Sequence, residues 1–187
     1  MLPTPTHPKR RRHALAGIVV LSLLALPTAP AWAGGSGGTG PDTSSSGDCV
    51  SKAKAKLANG KAIPPCSAPP RVVKVIRAAN QIAKGKGYCY GGGHSSFKSS
   101  CYDCSGGVSY ALHGGNFVGS PMPSSGYFSW GRKGKGRWIT VYTKSSHMYA
   151  VIAGLRWDTS MTPGSGPGWS REMRSSSGYR VRHPKGY

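Results

Sequence analysis

A glycine-rich loop, Tyr90-Gly91-Gly92-Gly93, leads through Asp103-Cys104-Ser105-Gly106 into the apolar run Val108-Ser109-Tyr110-Ala111-Leu112. That order sets a loop, a cysteine and a helix in succession, so the fold must present Cys104 in the first turn of a helix. There the positive end of the helix macrodipole favours the thiolate and hence nucleophilicity. A histidine, His147, opens an alternating, strand-like run further along. A cysteine followed much later by a histidine, neighbours only in the folded chain, is an order that thiol hydrolases use.

The first residues read as an address. Lys9-Arg10-Arg11-Arg12 is a positive segment, the stretch from Ala14 to Leu26 carries no charge, and Ala31-Trp32-Ala33 has the small-x-small form of a cleavage site. Residues 1–33 are therefore expected to be a secretory signal, the alternative being an uncleaved anchor. No second long apolar run follows, so no membrane association is expected after cleavage. Residues 34–70 are rich in Gly, Ser, Pro and Lys and poor in core formers, and read as a flexible linker. One compact domain, residues 71–187, is left to bury a core.

Charge narrows the partners. The chain holds 25 Lys and Arg against 5 Asp and Glu, a net charge of +20. Such an excess favours anionic company. The bases are scattered and form no recognition helix or aromatic-basic motif, so no specific nucleic acid is expected. Beside a secretory signal, an anionic cell wall is the better partner, and a merely solvated basic surface is the plainer alternative.

Within the domain, Val72, Val73, Val75, Ile76, Ala79, Ile82 and Ala83 fall mostly on one face of a helix over 71–83, which Gly85 and Gly87 end. A second helix opens at Cys104 and closes near Gly114-Gly115. Residues 124–136 read as loop, with Trp130 as an anchor. Strands are expected over 138–143, 147–153 and 156–159, with a last strand over 179–182 and a Pro/Gly loop over 162–170. Two helices followed by antiparallel strands make an α+β fold.

The stretch from Tyr88 to Ala111, with Tyr90-Gly91-Gly92 and Asp103-Cys104-Ser105-Gly106, resembles the NlpC-type cell-wall cysteine peptidases. The later Ser146-His147-Met148-Tyr149-Ala150-Val151-Ile152-Ala153-Gly154 is similar to their histidine-bearing strand. The resemblance covers the region from Arg71 onward. It implies a papain-like fold, with N-terminal helices on an antiparallel sheet, and hydrolysis of peptidoglycan stem peptides without metal or cofactor. Two positions depart from it: Gly107, where the family carries a bulky apolar residue, and Ser146, where it carries glycine.

Each site residue has a plainer alternative. Five cysteines cannot all pair within one chain. Of the three connectivities open to Cys49, Cys66, Cys89 and Cys101, the economical one joins Cys49 to Cys66 and Cys89 to Cys101, leaving Cys104 as nucleophile. His147 is the expected base; His113 sits more than two helical turns from Cys104, and His183 lies in a Pro-flanked tail. His94, in the loop, is expected at the substrate cleft. By the resemblance, Tyr90, Asp103 and Ser105 join it there, although core packing would equally explain Tyr90 and an N-cap Asp103. The backbone N–H of Cys104 is a candidate oxyanion donor.

The residue that orients the imidazole is harder to place. Asp158 lies on the strand where the family carries its polar orienter. A two-residue turn at Gly154-Leu155 would pair it with Val151 and leave it about 13 Å along the strand from His147, too far to hydrogen-bond. A shifted or longer turn would bring it, or Thr159, closer. The reading is a secreted, wall-associated, monomeric thiol hydrolase acting on peptidoglycan. The rivals are an amidase or acyltransferase on the same scaffold and a non-catalytic basic protein that binds cell wall or DNA.

Overall fold

The computed structural model describes residues 49–160 and 165–187; the expected signal segment lies outside them. The first helix, α1, runs over Pro70–Ile82. Pro70 sits where its missing N–H costs nothing and its fixed φ is already helical. Val72, Val75, Ile76, Ala79 and Ile82 form one buried stripe. The chain leaves the helix through an extended Ala83 and through Lys84 at φ +58°, so the turn comes before Gly85. The second helix, α2, spans Cys104–Gly114 and packs its buried Val108, Ala111 and Leu112 into the same core.

Residues 49–70 depart from the expected linker. Strands β1, Lys56–Ala58, and β2, Lys61–Ile63, pair antiparallel across Asn59-Gly60. Both turn residues have positive φ, +50° and +78°, the form whose twist matches a hairpin. Ala62 is buried, and its backbone N–H and carbonyl are both bonded by the Asn80 side chain of α1. Cys49 and Cys66 are joined by a disulfide. A stretch too polar to bury a core of its own is held on the domain by backbone bonds and a covalent staple.

Among the described residues, six strands form the main sheet. They are β3 (Arg132–Lys133), β4 (Ile139–Lys144), β5 (His147–Ile152), β6 (Leu155–Asp158), β7 (Gly168–Ser170) and β8 (Arg180–His183). Their spatial order is β3-β8-β4-β5-β6-β7, with every pair antiparallel. The short β3 and β7 lie in stretches expected to be loop, as does the 3-10 turn Ser124–Phe128. Ile139, Val141, Met148, Ala150 and Ile152 are fully buried, on the face that α2 covers. Thr140, Tyr142, Tyr149 and Val151 alternate with them on the opposite face. The architecture is α+β, helices against one face of an antiparallel sheet.

Candidate active site

The loop and α2 meet through glycine. A Cβ on Gly106 would lie 2.0 Å from the Gly92 carbonyl oxygen, so only a bare backbone lets the loop close on the first turn of the helix. Asp103 N-caps α2: its Oδ1 accepts the Gly106 N–H at 2.7 Å. Its Oδ2 accepts the Gly91 N–H at 3.2 Å, tying the loop to the helix start. The disulfide Cys89–Cys101 closes the base of this loop, and Cys104 is left as a free, half-buried thiol. As the residue that opens the helix, Cys104 carries one of the four backbone N–H groups with no partner inside it.

The expected cleft residues divide. Ser105 is buried and its hydroxyl donates to Asp103 Oδ1 at 3.2 Å. His94 Nε2 lies 2.9 Å from Ser105 Oγ and 2.9 Å from Asp103 Oδ2. Asp103, Ser105 and His94 thus form one network that braces the loop, and Asp103 is an N-cap whatever else it does. Tyr90 is 95% exposed, so core packing is not its role. Tyr88 lies beside it, unremarked by sequence reasoning; partial burial, then the charges of Cys104 and Asp103, raise its phenol above the ordinary value.

On the sheet, the turn between β5 and β6 is Ala153-Gly154, at φ +46° and +83°. It lies one residue earlier than the expected Gly154-Leu155, and Ile152 pairs with Leu155, Val151 with Arg156 and Ala150 with Trp157. Asp158 therefore falls level with Tyr149, not Val151, two residues from His147 and on its face. The Asp158 carboxylate reaches the imidazole: Nε2 to Oδ1 is 2.9 Å. The expected 13 Å gap is corrected by that single step of register.

Asp158 is held from several sides. Its Oδ1 accepts the Thr159 N–H at 2.7 Å, and its Oδ2 accepts Ser160 Oγ at 3.0 Å and Arg174 at 3.1 Å. Arg156 Nε stands 3.6 Å away, an ion pair too long for a hydrogen bond. Burial opposes ionisation of this carboxyl. The hydrogen bond and charge of His147, with those from Ser160 and Arg174, outweigh burial and hold it below the ordinary value. Burial likewise works against a charged His147, but hydrogen bonds to Asp158 and Cys104 and the charges of both push it from 6.5 to about 9. The imidazolium is thereby favoured between an anionic carboxylate and the thiol. Arg174 has no signal in the sequence: it sits in a polar loop, and only the fold carries it to Asp158.

Among the described residues, the remaining histidines are engaged elsewhere. His113 stacks on Phe97 at 3.8 Å and bonds the Val118 carbonyl; His183 bonds the Gly134 carbonyl. Gly107 also has a physical account. A Cβ there would lie 3.3 Å from Pro167, and Trp157 Nε1 donates to the Gly107 carbonyl at 3.0 Å. Pro167 occupies the space that a bulky side chain at 107 would need. Ser146 lies in the exposed turn between β4 and β5. Among the described residues, no cluster of three or more His, Cys, Asp or Glu is placed to hold a metal ion.

The chain is similar to several solved structures. It shares 24% identity with Rv1477, a hypothetical invasion protein of Mycobacterium tuberculosis, over 69% of each chain, at a TM-score of 0.46. With the P60 domain of the M. avium subspecies paratuberculosis antigen MAP1204 it shares 18%, over 60% of this chain and 93% of that one, at 0.41. With the resuscitation promoting factor interacting protein RipA it shares 20%, over 70% and 69%, at 0.45. No protein-family model and no curated protein matches the chain. The likeness is too loose to assign chemistry, which rests on the site itself.

Proposed function

We propose that this chain is an exported cysteine peptidase that cleaves the stem peptides of peptidoglycan through a covalent acyl-enzyme. The observation that carries the reading is the free Cys104 at the start of α2, interacting with an imidazole that Asp158 holds from behind at 2.9 Å. The motif resemblance of residues 88–111 and 146–154 supplies the substrate class. The segment 1–33 supplies the export expectation.

The chemistry follows from these groups. The Cys104 thiolate attacks the scissile carbonyl carbon and a C–S bond forms. The charge that develops on the oxygen falls near the N-terminus of α2, where the Cys104 N–H is a donor. Collapse breaks the C–N bond, and the His147 imidazolium protonates the leaving amine. His147 then takes a proton from water, which attacks the thioester and releases the acid. Asp158 keeps the ring oriented and its cation stabilised throughout.

The test is digestion of purified cell walls. Iodoacetamide should label Cys104 in the oxidised protein and stop release of soluble fragments, and Cys104→Ala should do the same without labelling. His147→Ala should lower turnover by about 10² to 10⁴. Lysis by Cys104→Ala at the parent rate would end the thiol mechanism.

A further inference from the structure

The sheet carries a second concave feature, whose lining meets the site at Arg174. On the face away from the helices lies a cleft of about 520 Å³. Its floor is the stacked pair Tyr142 and Tyr149, ring centroids 4.6 Å apart, brought side by side by the β4–β5 register. Four cations converge on it from three separate segments. Lys54 comes from the turn before β1, Lys135 and Arg137 from the loop before β4, and Arg174 from the polar loop after β7. Among the described residues, no Asp or Glu lines it. The carboxylate that touches a lining cation is Asp158, behind Arg174 at 3.1 Å.

We propose that this cleft binds a polymer with repeating anionic groups, phosphodiester or carboxylate, as a site that adjoins the Cys104 centre through Arg174. The choice of such a polymer rests on the cell-wall reading above; the cleft itself does not. Arg174 is balanced by Asp158, but among the described residues Lys54, Lys135 and Arg137 meet no carboxylate, so the concave surface stays short of negative charge until a polyanion enters. The volume is that of a ligand site. Lys54, Lys135 and Arg137 are exposed, so their charges are available to a chain lying across the sheet. Arginine forks suit both oxyanions, which is why the two sources share one site. The aromatic floor offers flat apolar contact between the charges, as a sugar or polyol backbone requires.

Binding is measured by calorimetry on the full chain carrying Cys104→Ala, so that loss of hydrolysis cannot be mistaken for loss of binding. The probes are a short poly(glycerol phosphate) and an oligogalacturonate of equal charge. Saturable binding of at least one is expected, and the preferred probe identifies the anion. Lys135→Ala with Arg137→Ala should weaken it about tenfold or more. Lys74→Ala with Arg77→Ala, which removes equal charge from exposed positions on α1, should weaken it far less. Equal weakening by both pairs would reduce the cleft to general basicity. Failure of both probes to bind, or tighter binding of duplex DNA than of either, would overturn the proposal. Wall digestion by the parent with Cys104, Lys135 and Arg137 intact is read separately, and its failure bears on the peptidase reading alone.

Discussion

His147 is held on one side by an anion that is already ionised and on the other by the thiol it must charge. Its pKa, pushed up to about 9, should set the alkaline edge of the proposed activity. The reactive thiolate–imidazolium pair needs a protonated ring, so kcat/KM should fall as pH rises through about 9. The sign for stability is the same: a raised histidine pKa contributes fully below 6.5, and the contribution is lost as pH climbs through about 9. Asp158→Asn removes the charge that supports the cation. It should move the alkaline limb of the pH profile and the imidazole titration seen by NMR toward lower pH, and reduce turnover. An unmoved titration would mean that Asp158 does not support the cation. Cys104 and His147 were legible because residue type and immediate context name them. Asp158 was legible as a candidate only, since a one-residue shift of the Ala153-Gly154 turn decides whether its carboxylate reaches the ring. Arg174 was not legible at all; its contact with Asp158 depends on how a polar loop returns to the sheet.

Elements were read where hydrophobic period is strong. The stripe of α1 and the apolar run of α2 gave their helices to within a residue or two, and β4 and β5 followed from alternation. The β1–β2 hairpin was missed because its strands, Lys56-Leu57-Ala58 and Lys61-Ala62-Ile63, are three residues long and carry too little apolar area to register, although Asn59-Gly60 is itself a strong hairpin turn. The short β3 and β7 have no period to read; pairing with neighbours defines them. The contact between the Gly-rich loop and α2 is the element-level feature on which the site depends. Gly106→Ala puts a methyl carbon 2.0 Å from the Gly92 carbonyl oxygen, which is backbone and cannot rotate aside. The loop must back off, at a cost of about 1–3 kcal/mol for an overpacked contact. Thermal melts should show that loss, and wall digestion should fall further than stability alone explains, because the Asp103 cap and Cys104 move with the loop. Wild-type digestion by a Gly106→Ala protein would mean that the loop does not position the nucleophile.

For the whole molecule, charge and cross-links complete the picture that the core leaves open. The domain from Arg71 onward has three acids, Asp103, Asp158 and Glu172; the first caps α2 and the second holds His147. Nearly all its cationic charge is therefore uncompensated. Binding to whole walls should weaken steeply between low and near-physiological ionic strength, while hydrolysis of a small soluble stem peptide should respond much less. Parallel salt curves for the two would make the charge a solubility feature. The charge was plain in the sequence; the convergence of Lys54, Lys135, Arg137 and Arg174 on one cleft was not, because it depends on loops packed over the outer face of the sheet. The cross-link beside the nucleophile has a practical consequence. Cys89–Cys101 secures the loop that touches α2, while Cys104 is useful only when reduced. A strong reductant that rescues an oxidised Cys104 threatens the staple next to it, and air that preserves the staple drives the thiol along its oxidation ladder. Preparation without oxygen and without added thiols is the handling that spares both, and on the proposed reading the protein's working life is set by how long one sulfur escapes the conditions that protect the others.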